Sequence, residues 1–147
     1  LGASLGLAPV GAWVALTGEL PWQAWALGGA VALWVAGFDL FYSLFDDEHD
    51  RAAGLHSWAV RFGERGVFAG ARLHHAGTVV LLAAAGSGLE VGLWYWTGVA
   101  AVAALLAYEH LLVRPGDLRR LDAAFFTVNG LISIVFFGFV LLDVVTR

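Results

Sequence analysis

The sequence predicts an all-α fold, a polytopic bundle of about five transmembrane helices, and three observations support this prediction. Hydrophobic residues make up 60% of the 147 residues and charged residues only 14%, whereas a soluble domain usually carries about 25% charged residues. Apolar runs close to the roughly 20 residues that a membrane-crossing helix needs occur five times. The 19 glycines suit close helix contact in lipid, where small residues line the interfaces.

The apolar segments are separated by short polar connections and turn signals. In order, the predicted spans cover about residues 1–17, 22–45, 67–89, 91–113 and 123–145. Gly18-Glu19-Leu20-Pro21 ends the first span, and Pro115-Gly116 breaks the chain after the fourth. The polar stretch 46–65 follows the second span, and its part 54–63 alternates apolar and polar residues, which predicts a short interfacial helix.

The composition also excludes several kinds of site. No cysteine is present, so neither a disulfide framework nor a thiolate metal site is possible. The basic residues form no patch of the kind that binds nucleic acid, and we expect the lipid bilayer, not nucleic acid, as a partner. Most of them lie in two connections on one side of the predicted bundle: Arg51, Arg61, Arg65, Arg114, Arg119 and Arg120. The positive-inside rule places these two connections in the cytoplasm, against the single dissent of Arg147.

The most informative segment is the acidic stripe formed by Asp39, Tyr42, Asp46 and Asp50. The steps of three, four and four residues are those of one helical face, provided that the second helix continues to Asp50. Asp46 and Asp50 are then one turn apart and can serve one metal site. Hard oxygen ligands favour Mg²⁺ over Zn²⁺. The alternative is a solvated acidic helix end, which opposes the helix dipole.

Asp39 and Tyr42 are the members of the stripe that lie deepest in the apolar run. A carboxylate inside the membrane is costly and is a functional residue by default. The alternative for Asp39 is a structural ion pair, for example with Arg72. For Tyr42 there are three interpretations: its hydroxyl bonds a phosphate oxygen, its ring lines the cavity, or it is an ordinary packing aromatic residue.

Further candidates flank the stripe. Arg51 and Arg61 are suited by charge and location to contact a phosphate, with a role as topology anchors as the alternative. His49 and His56 are weaker candidates for metal ligands. Among the polar residues near or within apolar spans, we expect a bundle-facing or cavity-lining position for Asn129.

The histidines and the glutamate of the later spans are expected to be structural. His74 and His75 are adjacent and therefore point to different faces, which suits core or interfacial packing. Glu109 and His110 lie near the end of the fourth span, and polar groups at such depths usually face the bundle interior and find partners there.

The segment FDLFYSLFDDEHDRAAGLHSWAVRFG resembles the second aspartate-rich motif of the UbiA superfamily of membrane prenyltransferases. That motif reads D-x-x-Y-x-x-x-D-x-x-x-D, followed by a Ser/Thr-containing stretch and F-G. The residues that fit it in register are Asp39, Tyr42, Asp46, Asp50, Ser57, Phe62 and Gly63. The stretches LGLAPVGAWVALTG and FFTVNGLISIVFF are also similar to their counterparts in 4-hydroxybenzoate polyprenyltransferase-like members.

This resemblance implies a fold of nine transmembrane helices, of which the five spans would be the last five. Residues 1–147 would be the C-terminal part of one membrane-embedded domain, without the N-terminal helices and the first aspartate-rich motif. The chain begins with Leu and contains no Met, which agrees with a missing N-terminal part. We therefore expect the fragment alone to be inactive.

The resemblance also implies a function, a cofactor and a set of site residues. Members transfer a polyprenyl group from a polyprenyl diphosphate to an aromatic acceptor such as 4-hydroxybenzoate, in ubiquinone or menaquinone biosynthesis, and they use Mg²⁺. Asp46 and Asp50 would hold the Mg²⁺, while Asp39 and Tyr42 would be the catalytic residues of the pocket. Arg51, Arg61 and Asn129 are the candidates for contact with the diphosphate or the pocket. The expected location is a bacterial inner membrane, with the aspartate-rich loop in the cytoplasm.

Other functions are compatible with an acidic segment at a membrane surface. The main alternative is a fragment of a cation-coupled membrane transporter or a non-catalytic remnant. A transporter should carry polar residues through the depth of several helices, whereas here they gather at one end. A membrane alcohol phosphotransferase would need D-x-x-D-G-x-x-A-R, and Asp47-x-x-Asp50 is not followed by Gly.

Overall fold

The computed structural model describes residues 1–113 and 123–147, and the regular structure in these ranges is entirely helical. The helices are α1 (Gly2–Thr17), α2 (Trp22–Tyr42), α3 (Asp47–Ala52), α4 (Trp58–Ser87), α5 (Leu93–Leu112) and α6 (Asn129–Thr146). A π-helical turn, Ala123–Val128, leads directly into α6. The prediction of an all-α bundle is confirmed.

The chain is an integral membrane protein. Three helical segments are long and apolar enough to cross a bilayer, namely Trp22–Tyr42, Trp58–Ser87 and Phe126–Thr146, and α1 is a shorter apolar helix. Together with α5, which has 20 residues, these helices correspond to the five predicted spans. The Arg-rich part of the connection after α5, with Arg114, Arg119 and Arg120, lies outside the described residues.

Two boundaries differ from the sequence-based expectation. Helix α2 ends at Tyr42 rather than near residue 45. Helix α4 begins at Trp58, well before residue 67, because the Ser57 side chain caps it by accepting a hydrogen bond from the Val60 N–H at 3.3 Å. The short interfacial helix predicted over 54–63 is therefore the first turn of α4, set off from the rest by a non-helical Gly63 with φ of 67°.

The bundle is held together by two apolar clusters. The first joins α2, α4, α5 and α6, and its buried members are Ala30, Leu82, Tyr95, Val99, Val102, Leu106, Val128 and Ile132. The second lies at the end of the bundle where α2 meets α3 and α4, and its buried members are Phe41, Ala59, Val67, Phe68, Ala71 and Val113. The second cluster lies next to the acidic segment, since its members Phe41 and Ala59 belong to the two helices that flank α3.

Helix α1 packs on α2 through small residues. A Cβ atom added at Gly6 would lie 2.6 Å from the carbonyl oxygen of Gly28 and 2.8 Å from the Cβ of Ala32. Such close backbone approach is typical of helix pairs in lipid, where van der Waals contact replaces the hydrophobic effect.

Candidate functional site

The acidic stripe lies where the chain leaves the bundle, and it is divided between two helices. Asp39 and Tyr42 occupy the last turn of α2, whereas Asp46 and Asp50 belong to the start and the middle of α3. The expectation that one continuous helix carries all four residues on one face is therefore wrong. After α2 the backbone tightens, since the N–H of residue 44 donates to the carbonyl of Phe41 at 3.1 Å.

The break has a physical reason in the helix dipole. At the C-terminus of a continued α2, a run of carboxylates would face the negative end of the dipole. The turn places Asp47, Glu48 and Asp50 in the first turn of α3 instead, where the dipole favours negative charge. Asp46 precedes this helix, and the Asp50 N–H donates to the Asp46 carbonyl at 2.7 Å. The two predicted metal ligands thus keep the one-turn separation expected from the sequence.

The two deeper residues stand at the rim of the bundle. Asp39 is half-buried and Tyr42 is 43% exposed, with its ring 5.5 Å from the ring of Phe45 in an edge-to-face arrangement. Arg72 is exposed on α4, and among the described residues no ion pair joins it to Asp39. The structural ion pair considered for Asp39 is therefore not formed with Arg72.

The two predicted phosphate-binding arginines are both exposed beside the acidic segment. Arg51 forms an ion pair with Asp47 across one turn of α3, with 3.0 Å between Nε and Oδ1. The Arg61 guanidinium lies over the ring of Phe62, 5.3 Å from its centroid. Exposed pairs of this kind contribute little stability, so both guanidinium groups are available to exchange their partners for an anionic ligand.

The donor set of the acidic segment matches Mg²⁺ in kind and supplies part of its coordination shell. Within the described ranges 1–113 and 123–147, no three His, Asp or Glu side chains converge to form a metal site. Mg²⁺ is commonly held by one or two carboxylates, with waters and substrate phosphates completing the shell. The exposed Asp46 and half-buried Asp50 provide two such carboxylates, so the chain fits one half of a phosphate-bridged site.

A second set of polar side chains lies inside the bundle, and its contacts link four helices. The Trp34 indole N–H of α2 donates to Asn129 Oδ1 of α6 at 2.8 Å, and Asn129 Nδ2 donates to Glu109 Oε1 of α5 at 3.4 Å. Glu109 Oε2 lies 3.8 Å from His75 Nδ1 of α4, which is itself 3.1 Å from His110 Nε2. We call these five residues the polar chain.

The polar chain bears on two sequence-based expectations. Glu109 and Asn129 are 0% and 8% exposed, so the prediction that they face the bundle interior is confirmed. His75 is buried and His74 is half-buried, with Nδ1 2.7 Å from the Gly70 carbonyl, which agrees with structural roles on different faces. The side chain of Asn129 contacts Trp34 and Glu109, and its predicted contact with a substrate pocket stays a prediction.

The other end of the bundle carries a polar joint that sequence reasoning missed. Asp143 of α6 is buried and accepts from the backbone N–H groups of Gly92 at 2.9 Å and Tyr95 at 3.2 Å, and its carboxylate lies 3.1 Å from Arg147 Nε. It thus caps the N-terminus of α5 from another helix. The only signal in the sequence was an aspartate inside an apolar segment, which does not reveal the partner helix.

A cavity of about 530 Å³ adjoins this joint. It is lined by side chains of α1, α2, α5 and α6, among them Trp13, Leu27, Tyr95, Phe136 and Val140. Most of the lining residues are apolar or aromatic, which suits a hydrocarbon chain, and three charged residues, Glu90, Asp143 and Arg147, also line the cavity.

Comparison with known proteins adds a family match. The family model described as "UbiA prenyltransferase family" matches residues 1–138. The chain is 34% identical over 138 residues to the "4-hydroxybenzoate octaprenyltransferase" of Cupriavidus pinatubonensis, covering 94% of this chain and 48% of that protein. It is 34% identical over 141 residues to the protein of the same name from Nitrosococcus oceani, covering 96% and 49%.

A third relative extends the match to another genus. The "4-hydroxybenzoate octaprenyltransferase" of Pseudomonas aeruginosa is 36% identical over 125 residues, covering 85% of this chain and 42% of that protein. The chain thus spans about half the length of the curated relatives that it matches. No solved structure matches the chain significantly.

Proposed function

We propose, because this chain belongs to the UbiA prenyltransferase family, that its protein transfers a polyprenyl group from a polyprenyl diphosphate to an aromatic acceptor. The acceptor proposed is 4-hydroxybenzoate, in ubiquinone or menaquinone biosynthesis, since relatives carry the name 4-hydroxybenzoate octaprenyltransferase. The observation that carries the proposal is the match over residues 1–138, which includes the whole acidic segment at the mouth of the bundle.

The proposed cofactor is Mg²⁺, held by Asp46, which precedes α3, and by Asp50, one helical turn later within α3. When bound, the ion neutralises the diphosphate and makes it a better leaving group. The carboxylates of Asp46 and Asp50 are unshielded by ion pairs among the described residues, whereas Asp47 is engaged by Arg51. This difference supports the assignment of Asp46 and Asp50 as the ligands.

The remaining predicted residues are proposed to bind and orient the substrates. Arg51 and Arg61 would contact the diphosphate, because each guanidinium lies exposed next to the acidic segment. The half-buried Asp39 and the exposed Tyr42, both at the end of α2, would line the pocket in which the allylic C–O bond breaks. Aromatic faces such as that of Tyr42 stabilise the resulting carbocation, and exclusion of water prevents its capture as an alcohol.

Completion of the transfer needs a base and space for the isoprenoid tail. The acceptor ring attacks the carbocation, and a carboxylate, for which Asp39 is the proposed group, or a diphosphate oxygen removes the ring proton. The tail would lie between helices in contact with the bilayer. The mainly apolar cavity of about 530 Å³ at the far end of the bundle supports such a course for the tail.

The proposed orientation places the acidic segment on the cytoplasmic side of a bacterial inner membrane. Arg51, Arg61 and Arg65 lie next to this segment, and Arg and Lys are enriched in cytoplasmic loops. The 147 residues contain no cysteine, so a single introduced cysteine can serve as a reporter once any cysteine elsewhere in the natural protein is replaced by serine. A cysteine introduced at exposed Glu48 should react with a membrane-impermeant maleimide only in inside-out vesicles.

The proposal is tested with the protein expressed from its natural gene in bacterial membranes. Labelled polyprenyl diphosphate and 4-hydroxybenzoate are supplied with Mg²⁺ or with a chelator, and prenylated product is quantified. We expect Asp46→Asn and Asp50→Asn to abolish transfer without reducing the amount of inserted protein. Glu48→Gln, an exposed change in the same short helix, serves as the matched control. Full activity of Asp46→Asn would refute the metal assignment, and no transfer by the native protein would refute the proposed function.

A further inference from the structure

Helix α2 carries Asp39 and Tyr42, and its rotation about its own axis decides where these side chains point. The helix with its side chains has a radius of about 5–6 Å. A rotation of about 20° therefore moves a side-chain end by roughly 2 Å. Misplacement of about 1 Å at a reacting centre reduces a rate by about a hundredfold. Activity therefore requires contacts that fix the rotation of α2.

A hydrogen bond between α2 and α6, in the described part of the bundle, can fix this rotation. The Trp34 indole N–H lies five residues before Asp39 on α2 and donates at 2.8 Å to Asn129 Oδ1 of α6. The indole N–H is a donor only, which fixes the orientation of the Asn129 amide. Asn129 Nδ2 is thereby turned toward Glu109 Oε1, so the position of α2 is tied to both α5 and α6.

A second contact in the polar chain holds α2 close to α4 at the same level. Gly37 lies against the ring of His75, where any Cβ atom would overlap the imidazole. His75 is 3% exposed and lies between Glu109 and His110. Trp34 and Gly37 are three residues apart and hence on neighbouring positions of one helix face, so the hydrogen bond and the close packing act on the same side of α2.

Because these side chains are buried, breaking their hydrogen bonds costs free energy. Glu109 is 0% exposed, and the buried atoms Glu109 Oε2 and His110 Nδ1 have no hydrogen-bond partner in the described structure. With few donors available inside the membrane, the contact from Asn129 to Glu109 is hard to replace after a rotation of α2. A polar group that loses its hydrogen-bond partner in hydrocarbon cannot bond to water instead, so it stays unpaired at a cost in free energy.

From these contacts we infer that Trp34 and Asn129 are positioning residues for the transfer reaction. The Trp34–Asn129–Glu109 hydrogen bonds set the rotation of α2 and thereby aim Asp39 and Tyr42 into the pocket. This inference rests on the proposed function for its kinetic consequence, but the structural consequence can be measured without any activity.

The structural test uses spin labels in the natural protein reconstituted in lipid. Cysteines are introduced at Phe45 and Ile134, which are 48% and 70% exposed, and are labelled as a pair. These 147 residues contain no other cysteine, and any cysteine elsewhere in the natural protein is replaced by serine. Pulsed electron–electron double resonance then reports the distance between residue 45, in the turn directly after α2, and residue 134 on α6. We expect Trp34→Phe to broaden or shift the distance distribution. The matched control Trp25→Phe, which changes a tryptophan on α2 that is 53% exposed, should leave it unchanged.

A reversed hydrogen bond provides the rescue. Asn129→Asp still accepts from the Trp34 indole N–H but has no donor for Glu109, so we expect it to disturb the distance distribution. Adding Glu109→Gln supplies a side-chain N–H that donates back to the carboxylate at position 129. The double variant should recover the native distribution, whereas a substrate contact by Asn129 would not be restored by this exchange.

The kinetic test follows the same variants in the transfer assay. We expect Trp34→Phe and Asn129→Asp to lower kcat by about tenfold to a hundredfold, by analogy with other misplaced reacting groups, with KM for the diphosphate nearly unchanged. The Asn129→Asp/Glu109→Gln pair should regain most of kcat.

The outcomes separate the two proposals. A native distance distribution in Trp34→Phe, or a double variant no better than Asn129→Asp alone, would overturn the positioning role. The opposite result is also informative. If the single variants disturb the distance distribution, the double variant restores it, and the native protein transfers no prenyl group, the positioning role is supported and the proposed function is refuted.

Discussion

The packing of α1 on α2 gives a prediction whose size can be worked out from the structure. A Cβ added at Gly6 would meet the carbonyl oxygen of Gly28 at 2.6 Å. The helix backbone fixes the positions of both atoms. Ordinary contact begins at 3.4 Å. In Gly6→Ala the two helices must therefore separate locally by about 0.8 Å, the difference between these two distances, and neighbouring contacts across the interface are lost.

The expected consequence is a loss of stability. Overpacking of a close contact typically costs about 1–3 kcal/mol, which corresponds to roughly a 5-fold to 140-fold change in the unfolding equilibrium. Gly11→Ala is the matched control, because Gly11 lies on the same helix with nothing within 4 Å of the added Cβ. Removing a glycine from a helix interior is by itself favourable by about 0.5–1 kcal/mol, so the control should be neutral or stabilising.

The assay is unfolding of the purified protein in mixed micelles with increasing mole fraction of sodium dodecyl sulfate, followed by tryptophan fluorescence. We expect the midpoint of Gly6→Ala to fall and that of Gly11→Ala to stay or rise. Equal midpoints for the two variants would show that α1 does not pack on α2 through Gly6, and the close helix contact would have to be abandoned.

Three further predictions concern the site and the helix ends. Asp39→Ala should reduce prenyl transfer much more than Asp47→Ala, because Asp39 lies at the end of a membrane helix whereas Asp47 pairs with Arg51 in solvent; equal activities in the transfer assay would contradict this. Ser57→Ala removes the cap of α4 and should destabilise the protein by about 1 kcal/mol, measured in the same detergent titration. Asp143→Ala removes the acceptor for two backbone N–H groups at the start of α5 and should increase hydrogen exchange there, while unchanged exchange would argue against the cap.

Much of the fold could be predicted because it depends on local composition. The apolar runs needed to cross a bilayer gave the number and order of the main helices, and the turn at Gly18 was marked by its glycine, which adopts a φ of 71°. Helix boundaries were less accurate where a side chain decided them. The cap by Ser57 starts α4 at Trp58, and the non-helical Gly63 separates this first part from the rest of the helix; neither feature changes the hydropathy of the segment.

The candidate site was only partly predictable. The spacing of Asp46 and Asp50 and their place at the mouth of the bundle followed from the sequence, since both depend on neighbouring residues. The interruption of the stripe between Tyr42 and Asp46 did not, because helical spacing in a sequence does not show whether the helix continues.

The sequence by itself determined that this chain forms a membrane bundle and that its carboxylates gather at one end, because hydropathy and helical periodicity are properties of contiguous residues. Only the tertiary structure decided which polar groups meet inside the bundle. Trp34 and Asn129 are 95 residues apart, and Gly92 and Asp143 are 51 apart. In a medium without water a buried polar group can find a partner only within the protein, and which helix supplies that partner depends on packing that a single sequence does not display.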